Sequence, residues 1–186
     1  MKTLKPIVFA HRGDSAHAPE NTLLALDQAL HKGAHGVEFD VWACGSGEIV
    51  LFHDRNPLRM TGREGLIDQM SFSELRSLSL PRGERIPSLA EALALMGAKA
   101  WINVEIKGTA WHPPHLEREV LKLLEERDLL HRSILSSFNP WTLYRLQRMA
   151  PNVHKGLIFK EKSWLPLRKA WADYFLNFYS MHPSVK

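Results

Sequence analysis

The stretch "FAHRGDSAHAPENT", residues 9–22, ends an apolar run with His11 and Arg12 and continues to Glu20 and Asn21. A turn needs only Gly or Pro. A base, a fixed cation, a carboxylate and an amide beside one strand end are a chemical outfit. "GVEFDV" (36–41) adds a second concentration. Side chains alternate along a strand, so Val37, Phe39 and Val41 share one face and Glu38 and Asp40 the other, roughly 6–7 Å apart. "WINVEIK" (101–107) repeats the pattern, with Asn103, Glu105 and Lys107 on one face. Buried carboxylates repel unless a cation lies between them. A single Mg²⁺ or Ca²⁺ with hard oxygen ligands satisfies three of them; a lysine is the other solution, and the strand pattern admits both.

Of ten histidines, two stand apart. His31, His35, His112, His115 and His154 sit in helices or loops without partner signals, whereas His11 and His53 end apolar strands beside charged residues. "CGSGE" (44–48) is a short turn, so "IVLFH" (49–53) folds back on the strand of Asp40 and brings His53 near Phe39 or Asp40. The register decides which face His53 takes.

These residues need elements to position them. Strands are expected at 6–10, 36–43, 49–53, 101–107, 133–138, 155–159 and 174–180. Helices are expected at 21–33, 71–78, 88–97, 113–130, 139–150 and 161–172. Ser71 with Glu74, and Ser88 with Glu91, are capping boxes. Residues 54–70 read as an irregular excursion. Alternating strands and helices favour a parallel sheet covered by helices. No Gly-x-Gly-x-x-Gly follows the first strand, which counts against a dinucleotide-binding open sheet. Polar residues crowd several strand ends: His11-Arg12, Glu38 and Asp40, His53, Glu105 and Lys107, Ser136-Ser137. That distribution favours an α/β fold of the (β/α)₈ TIM-type barrel, whose sites lie at the C-terminal ends of many strands.

The 186 residues, 45% hydrophobic and 24% charged, provide one sizeable core. One cysteine, Cys44, excludes an intrachain disulfide and points to a reducing, cytoplasmic location. No stretch approaches a membrane span, so no stable membrane anchor is expected. A net charge of +4 suits an anionic ligand. The cations are scattered rather than striped with aromatics, and no nucleic-acid partner is expected. The aromatics at 164–179 read as core.

The set "HRG…PENT…GVEFDV…HD…INVEIK…SSF", in this order, resembles the glycerophosphodiester phosphodiesterases. "RMTGREG" (59–65) and "IPSLAEAL" (86–93) lie near two further stretches of that family. The resemblance implies a barrel with a small insertion, here 54–85, within one domain spanning 1–186. It implies a divalent metal and hydrolysis of a glycerophosphodiester to glycerol 3-phosphate and an alcohol. Carried over, Glu38, Asp40 and Glu105 hold the metal, His11 and His53 are the acid–base pair, Arg12 and Lys107 meet the phosphate, and Glu20 supports them. His11 takes the proton of the glycerol 2-hydroxyl, whose oxygen attacks phosphorus to give a cyclic phosphate that water opens; His53 protonates the leaving alcohol. The chain departs from the family after "VEFDV", where "WACGSG" replaces a Thr-x-Asp-Gly turn and sets Cys44 exposed near the site.

A sphingomyelinase-D-like lipase on the same barrel is a rival, opposed by the single cysteine. The other rival is a truncated, poorly active or non-catalytic phosphate-binding barrel. Only six barrel strands are counted, where eight need about 250 residues. The barrel is thus expected to be incomplete, with about six βα units and open edges that favour self-association.

Overall fold

A computed structural model describes residues 7–97, 100–108, 115–160 and 180–184. Seven strands form one sheet: β1 (Phe9–His11), β2 (Gly36–Ala43), β3 (Ile49–Leu51), β4 (Trp101–Ile106), β5 (Ser133–Ser137), β6 (His154–Lys160) and β7 (Ser180–Ser184). The order is β1-β2-β4-β5-β6-β7, with β3 attached to β2. Every neighbour along that path is parallel, and only the β2–β3 hairpin is antiparallel. The helices are α1 (Leu23–His31), α2 (Leu58–Thr61), α3 (Phe72–Ser77), α4 (Leu89–Met96), α5 (His115–Glu125) and α6 (Pro140–Met149).

The alternation in β2 and β4 works as the pattern requires. Val37, Phe39, Val41, Ile102, Val104 and Ile106 are buried in one core with Leu26 of α1, Leu93 of α4, Leu124 of α5 and Leu146 of α6. Each such side chain contributes about 1.5–3 kcal/mol on burial. The opposite face of the same strands is left for Glu38, Asp40, Asn103 and Glu105, all buried. A second, smaller core gathers Trp42, Cys44, Val50, Phe52, Ile67, Leu75, Leu80 and Ile86 beneath the excursion.

Helix starts follow the expected chemistry. Ser71 and Ser88 each form a capping box with the glutamate three residues on. Thr22 caps α1 by accepting from the Ala25 N–H, so that helix begins after Thr22. Asn139 caps α6, and Pro140 occupies its first position.

Two expectations shift. The first strand is shorter than 6–10 and runs on to His11. A strand is described at Ser180–Ser184, whose residues meet Gly156–Lys160 in register; of the expected strand 174–180 only Ser180 falls among the described residues. Cys44 is buried, not exposed. The turn folds into the second core, where Gly45 N–H donates to the Met70 carbonyl at 2.7 Å and the Cys44 Sγ lies 3.4 Å from Ser46 and Glu48 oxygens. The helix expected at 161–172 lies outside the described residues, as do the aromatics at 164–179. Among the described residues β1 pairs only with β2 and β7 only with β6. Among the described residues six parallel strands form part of a (β/α) barrel, in line with the strand count.

Candidate active site

The turn after β1 is tightly specified. Arg12 and Gly13 both have positive φ, 57° and 76°. A Cβ on Gly13 would lie 2.5 Å from the Ala25 carbonyl carbon, so only glycine fits between β1 and α1. Holding a non-glycine residue such as Arg12 left-handed costs about 1–2 kcal/mol. Its contacts maintain the geometry. The Arg12 N–H donates to Glu38 Oε2 at 3.0 Å, Nη1 donates to Glu20 Oε1 at 3.1 Å, and Nε lies 3.3 Å from Asp40 Oδ2.

Parallel register joins the two acidic strands. Glu38 stands opposite Asn103, and Asp40 opposite Glu105. One oxygen from each of Glu38, Asp40 and Glu105 lies within 4.8 Å of the others. Lys107 bridges two of the three: its Nζ is 2.9 Å from Asp40 Oδ1 and forms an ion pair with Glu105. The lysine is thus present, yet it does not balance the cluster. Burial, then the Asp40 charge, pushes Glu38 up to about 8. Burial also raises Glu105, to about 7, against the pull of Lys107. Burial opposes ionisation of Asp40 too, but Lys107 and the Asn21 amide outweigh it and hold Asp40 below the usual carboxylate range. A hard, all-oxygen donor set whose full ionisation needs more positive charge than Lys107 and Arg12 supply fits a Mg²⁺- or Ca²⁺-like ion.

That electrostatics predicts a pH effect on the metal-free protein. Glu38 and Glu105 bind their protons more tightly folded than unfolded, where the ordinary value is 4.5. Their contribution to stability is complete below that value and is lost as pH climbs through about 7 and 8. In chelator, the thermal midpoint should therefore fall between pH 6.5 and 9. Divalent ion should restore it, most strongly at the alkaline end. A midpoint rising across this range in chelator would contradict the charge balance described.

The two histidines flank the cluster. His11 Nε2 lies 3.8 Å from Glu38 Oε2. Partial burial, and next the Arg12 charge, lowers its pKa, which keeps the ring neutral at pH 7 and able to accept a proton. The hairpin register pairs Val41 with Leu51, and Phe52 N–H donates to the Asp40 carbonyl at 3.1 Å. His53 follows directly. Its carbonyl accepts from Trp42 Nε1 at 3.3 Å, and its Nδ1 is 2.7 Å from Asp54 Oδ1. Donation of Nδ1–H to Asp54 fixes the tautomer with Nε2 as the second, basic nitrogen. A charge on His53 would bear on both His11 and Asp40, lowering the pKa of each.

Glu20 lies between two guanidiniums: Arg12, and Arg59 from α2. Arg59 Nε also donates to Asp54 Oδ2 at 2.6 Å. Arg59 thus ties the loop after β1 to the loop carrying His53, and neither it nor Asp54 received a role from the sequence. Asn21 received none either. It sits at φ 58°, donates from Nδ2 to Asp40 Oδ2 at 2.9 Å, and accepts the Asp40 N–H at 3.1 Å. The only advance signals were their places in "PENT", "HD" and "RMTGREG". Ser136 is further back, donating to Asn103 Oδ1 at 2.9 Å, and Ser137 donates to the Ile106 carbonyl.

An arc of parallel strands with its charged groups gathered at the C-terminal strand ends defines the (β/α)-barrel class of enzymes. Comparison with known proteins narrows that class. The pattern of the glycerophosphoryl diester phosphodiesterase family matches residues 11–184, and the chain belongs to that family. It is 35% identical over 188 residues to a glycerophosphodiester phosphodiesterase of Caldanaerobacter subterraneus, covering 97% of this chain and 76% of the relative. It is 30% identical to a glycerophosphodiester phosphodiesterase of Bacillus altitudinis, covering 81% of this chain and 65% of that one. Among solved structures, an Oleispira antarctica phosphodiesterase in complex with the product sn-glycerol-3-phosphate superposes with a TM-score of 0.85 at 29% identity, covering 96% of this chain and 74% of that one. A Thermotoga maritima glycerophosphodiester phosphodiesterase gives 0.80 at 30% identity, with 97% and 74% covered.

Proposed function

We propose that this chain hydrolyses small-molecule glycerophosphodiesters to glycerol 3-phosphate and an alcohol. The observation that carries the proposal is the buried triad Glu38, Asp40 and Glu105, flanked by Arg12 and Lys107 and by His11 and His53. The triad would hold one Mg²⁺ or Ca²⁺, which when bound polarises the phosphoryl oxygens and neutralises charge developing on them. The chain's own groups do the rest. Arg12 and Lys107 meet the phosphate, as a phosphodiester gains charge toward its transition state. His11, kept neutral, accepts the proton of the glycerol 2-hydroxyl, and that oxygen attacks phosphorus. The P–O bond to the alcohol breaks, and His53 supplies the proton the departing alkoxide takes. Water then opens the cyclic phosphate. Glu20, clamped between Arg12 and Arg59, keeps the two loops in place.

In this reading 1–186 acts as one barrel domain in the cytoplasm, with 54–85 a small insertion resting on the second core. No helix among the described residues is long and apolar enough to cross a membrane. Among the described residues β1 and β7 each pair on one side, which supports self-association through these edges, registered as dimer by sedimentation velocity.

The test is substrate preference. Attack by a hydroxyl already in the substrate replaces a bimolecular step with an intramolecular one. Glycerophosphocholine should be cleaved with a kcat/KM at least about tenfold above that for bis(4-nitrophenyl) phosphate, although nitrophenolate is the better leaving group. Equal or inverted rates would overturn the hydroxyl-attack route.

A further inference from the structure

A cleft of about 570 Å³ opens directly from Glu105 and Lys107 and leads away from the metal triad. Its walls are Trp42 near the end of β2, the end of β4, and residues Phe138 to Trp141, which run from the end of β5 into the first turn of α6. The volume falls within the range of small-molecule sites, about 300–1,000 Å³. Resting on the hydrolytic reading above, we propose that this cleft receives the alcohol portion of the substrate and selects an uncharged, apolar one, with Trp141 as the specificity-determining residue.

Three features carry this. First, the aromatic wall is fixed by its backbone. Ser137 Oγ accepts the Asn139 N–H at 3.1 Å, and Asn139 Oδ1 accepts the Trp141 N–H at 3.0 Å. These bonds set the backbone that carries Trp141, and its ring stands edge-on to Tyr144 at 6.1 Å. Second, Trp141 is 56% exposed and Phe138 38% exposed, while Trp42 on the facing wall is buried. Large aromatic surface left open to water beside a reactive centre gains most by covering an apolar ligand. Third, the charges on the cleft wall are already engaged. Glu105 is paired with Lys107, and Lys107 also holds Asp40. The Lys107 ammonium lies 5.8 Å from the Phe138 ring centroid, on the aromatic surface that a cationic alcohol would need. A quaternary ammonium would meet that ammonium. Lys107 is the one cation among the described residues of this wall, and in the reading above it meets the phosphate, so an anionic alcohol would find no second cation among them. An alkyl chain meets neither obstacle.

The experiment uses sn-glycero-3-phospho-n-alkanols with methyl, butyl and octyl alcohols, and glycerophosphocholine for comparison. The three n-alkoxides are similar in basicity, so rate differences among them report contacts with the chain instead of intrinsic reactivity; the choline alkoxide is the less basic leaving group, which works against the order expected here. The octyl diester should exceed the methyl diester in kcat/KM by about tenfold or more, chiefly through KM. Glycerophosphocholine should fall below the octyl diester. Trp141→Ala should bring the octyl-to-methyl ratio to within about twofold, and Trp141→Phe should keep most of it. Circular dichroism checks that the exposed position tolerates the change. A flat series, a choline preference, or an unchanged ratio in Trp141→Ala would overturn the proposal. A binding arm separates this claim from the hydrolytic one. Tryptophan fluorescence should titrate with the octyl phosphonate analogue at lower concentration than with the methyl one, and Trp141→Ala should abolish the difference. That pattern without turnover of any diester would sink the hydrolytic function and keep the cleft; turnover without that pattern would do the reverse.

Discussion

Replacing either His11 or His53 by alanine should lower turnover of glycerophosphocholine by roughly 10²–10⁴-fold while leaving the thermal midpoint nearly unchanged. The two rings differ in how they are held, so the losses should differ in character. His11 is largely solvent-facing, with its Nε2 3.8 Å from Glu38 Oε2. Its lowered pKa follows from partial burial and the Arg12 charge. In the wild type, kcat/KM should therefore decline only once acid protonates His11, below its depressed pKa. His11→Ala should remove that acid limb as well as most of the rate. His53 is oriented by Asp54 through Nδ1, and Asp54 in turn by Arg59. Diesters with good leaving groups need less protonation of the departing oxygen. His53→Ala should thus lose much less on a 4-nitrophenyl diester of glycerol phosphate than on glycerophosphocholine. His17 is the control: it pairs with Asp14 and Lys32 in the loop, at 2.8 and 3.1 Å, and its alanine variant should keep the rate within about twofold. Either His variant turning over at a near-normal rate would remove that residue from the proton transfers.

The second large effect concerns the carboxylates. Glu105→Gln should weaken divalent-ion binding by at least about 10²-fold in titration calorimetry and reduce turnover correspondingly, because it deletes a charged ligand while keeping the shape. The substitution also frees Lys107 from one of its two anions, leaving Asp40 as its carboxylate partner. The variant should therefore be at least as stable as the wild type in chelator at pH 8, where the wild-type Glu105 pays its desolvation cost as an anion. Loss of ion binding together with retained or increased metal-free stability is the signature of a ligand. Unchanged ion affinity would show that the acidic cluster is balanced by lysine alone.

Much of this site was legible because strands have a period of two. Glu38 and Asp40 in β2, and Glu105 in β4, fall on one face by alternation alone, and parallel register then sets Asp40 against Glu105. The helices around them were legible through capping boxes and apolar stripes. What the sequence left open has a physical reason in each case. The position of His53 depends on the hairpin register, which the turn composition did not determine; the Val41–Leu51 pairing settles it. Asn21 and Arg59 act through single long-range contacts, across 19 and 39 positions of chain, and such contacts leave no periodic trace. The burial of Cys44 follows from packing under the excursion, which has no pattern of its own.

The central claim is that three buried carboxylates, two histidines and two cations at the strand ends make a metal-dependent glycerophosphodiesterase. Its most direct test is release of glycerol 3-phosphate from glycerophosphocholine, followed by a coupled assay with purified 1–186 in Mg²⁺ or Ca²⁺, in chelator, and after the ion is added back. The account predicts release with the ion, loss by at least about 10²-fold in chelator, and recovery on re-addition. Release that is indifferent to chelator, or phosphocholine as the product in place of glycerol 3-phosphate, would contradict it.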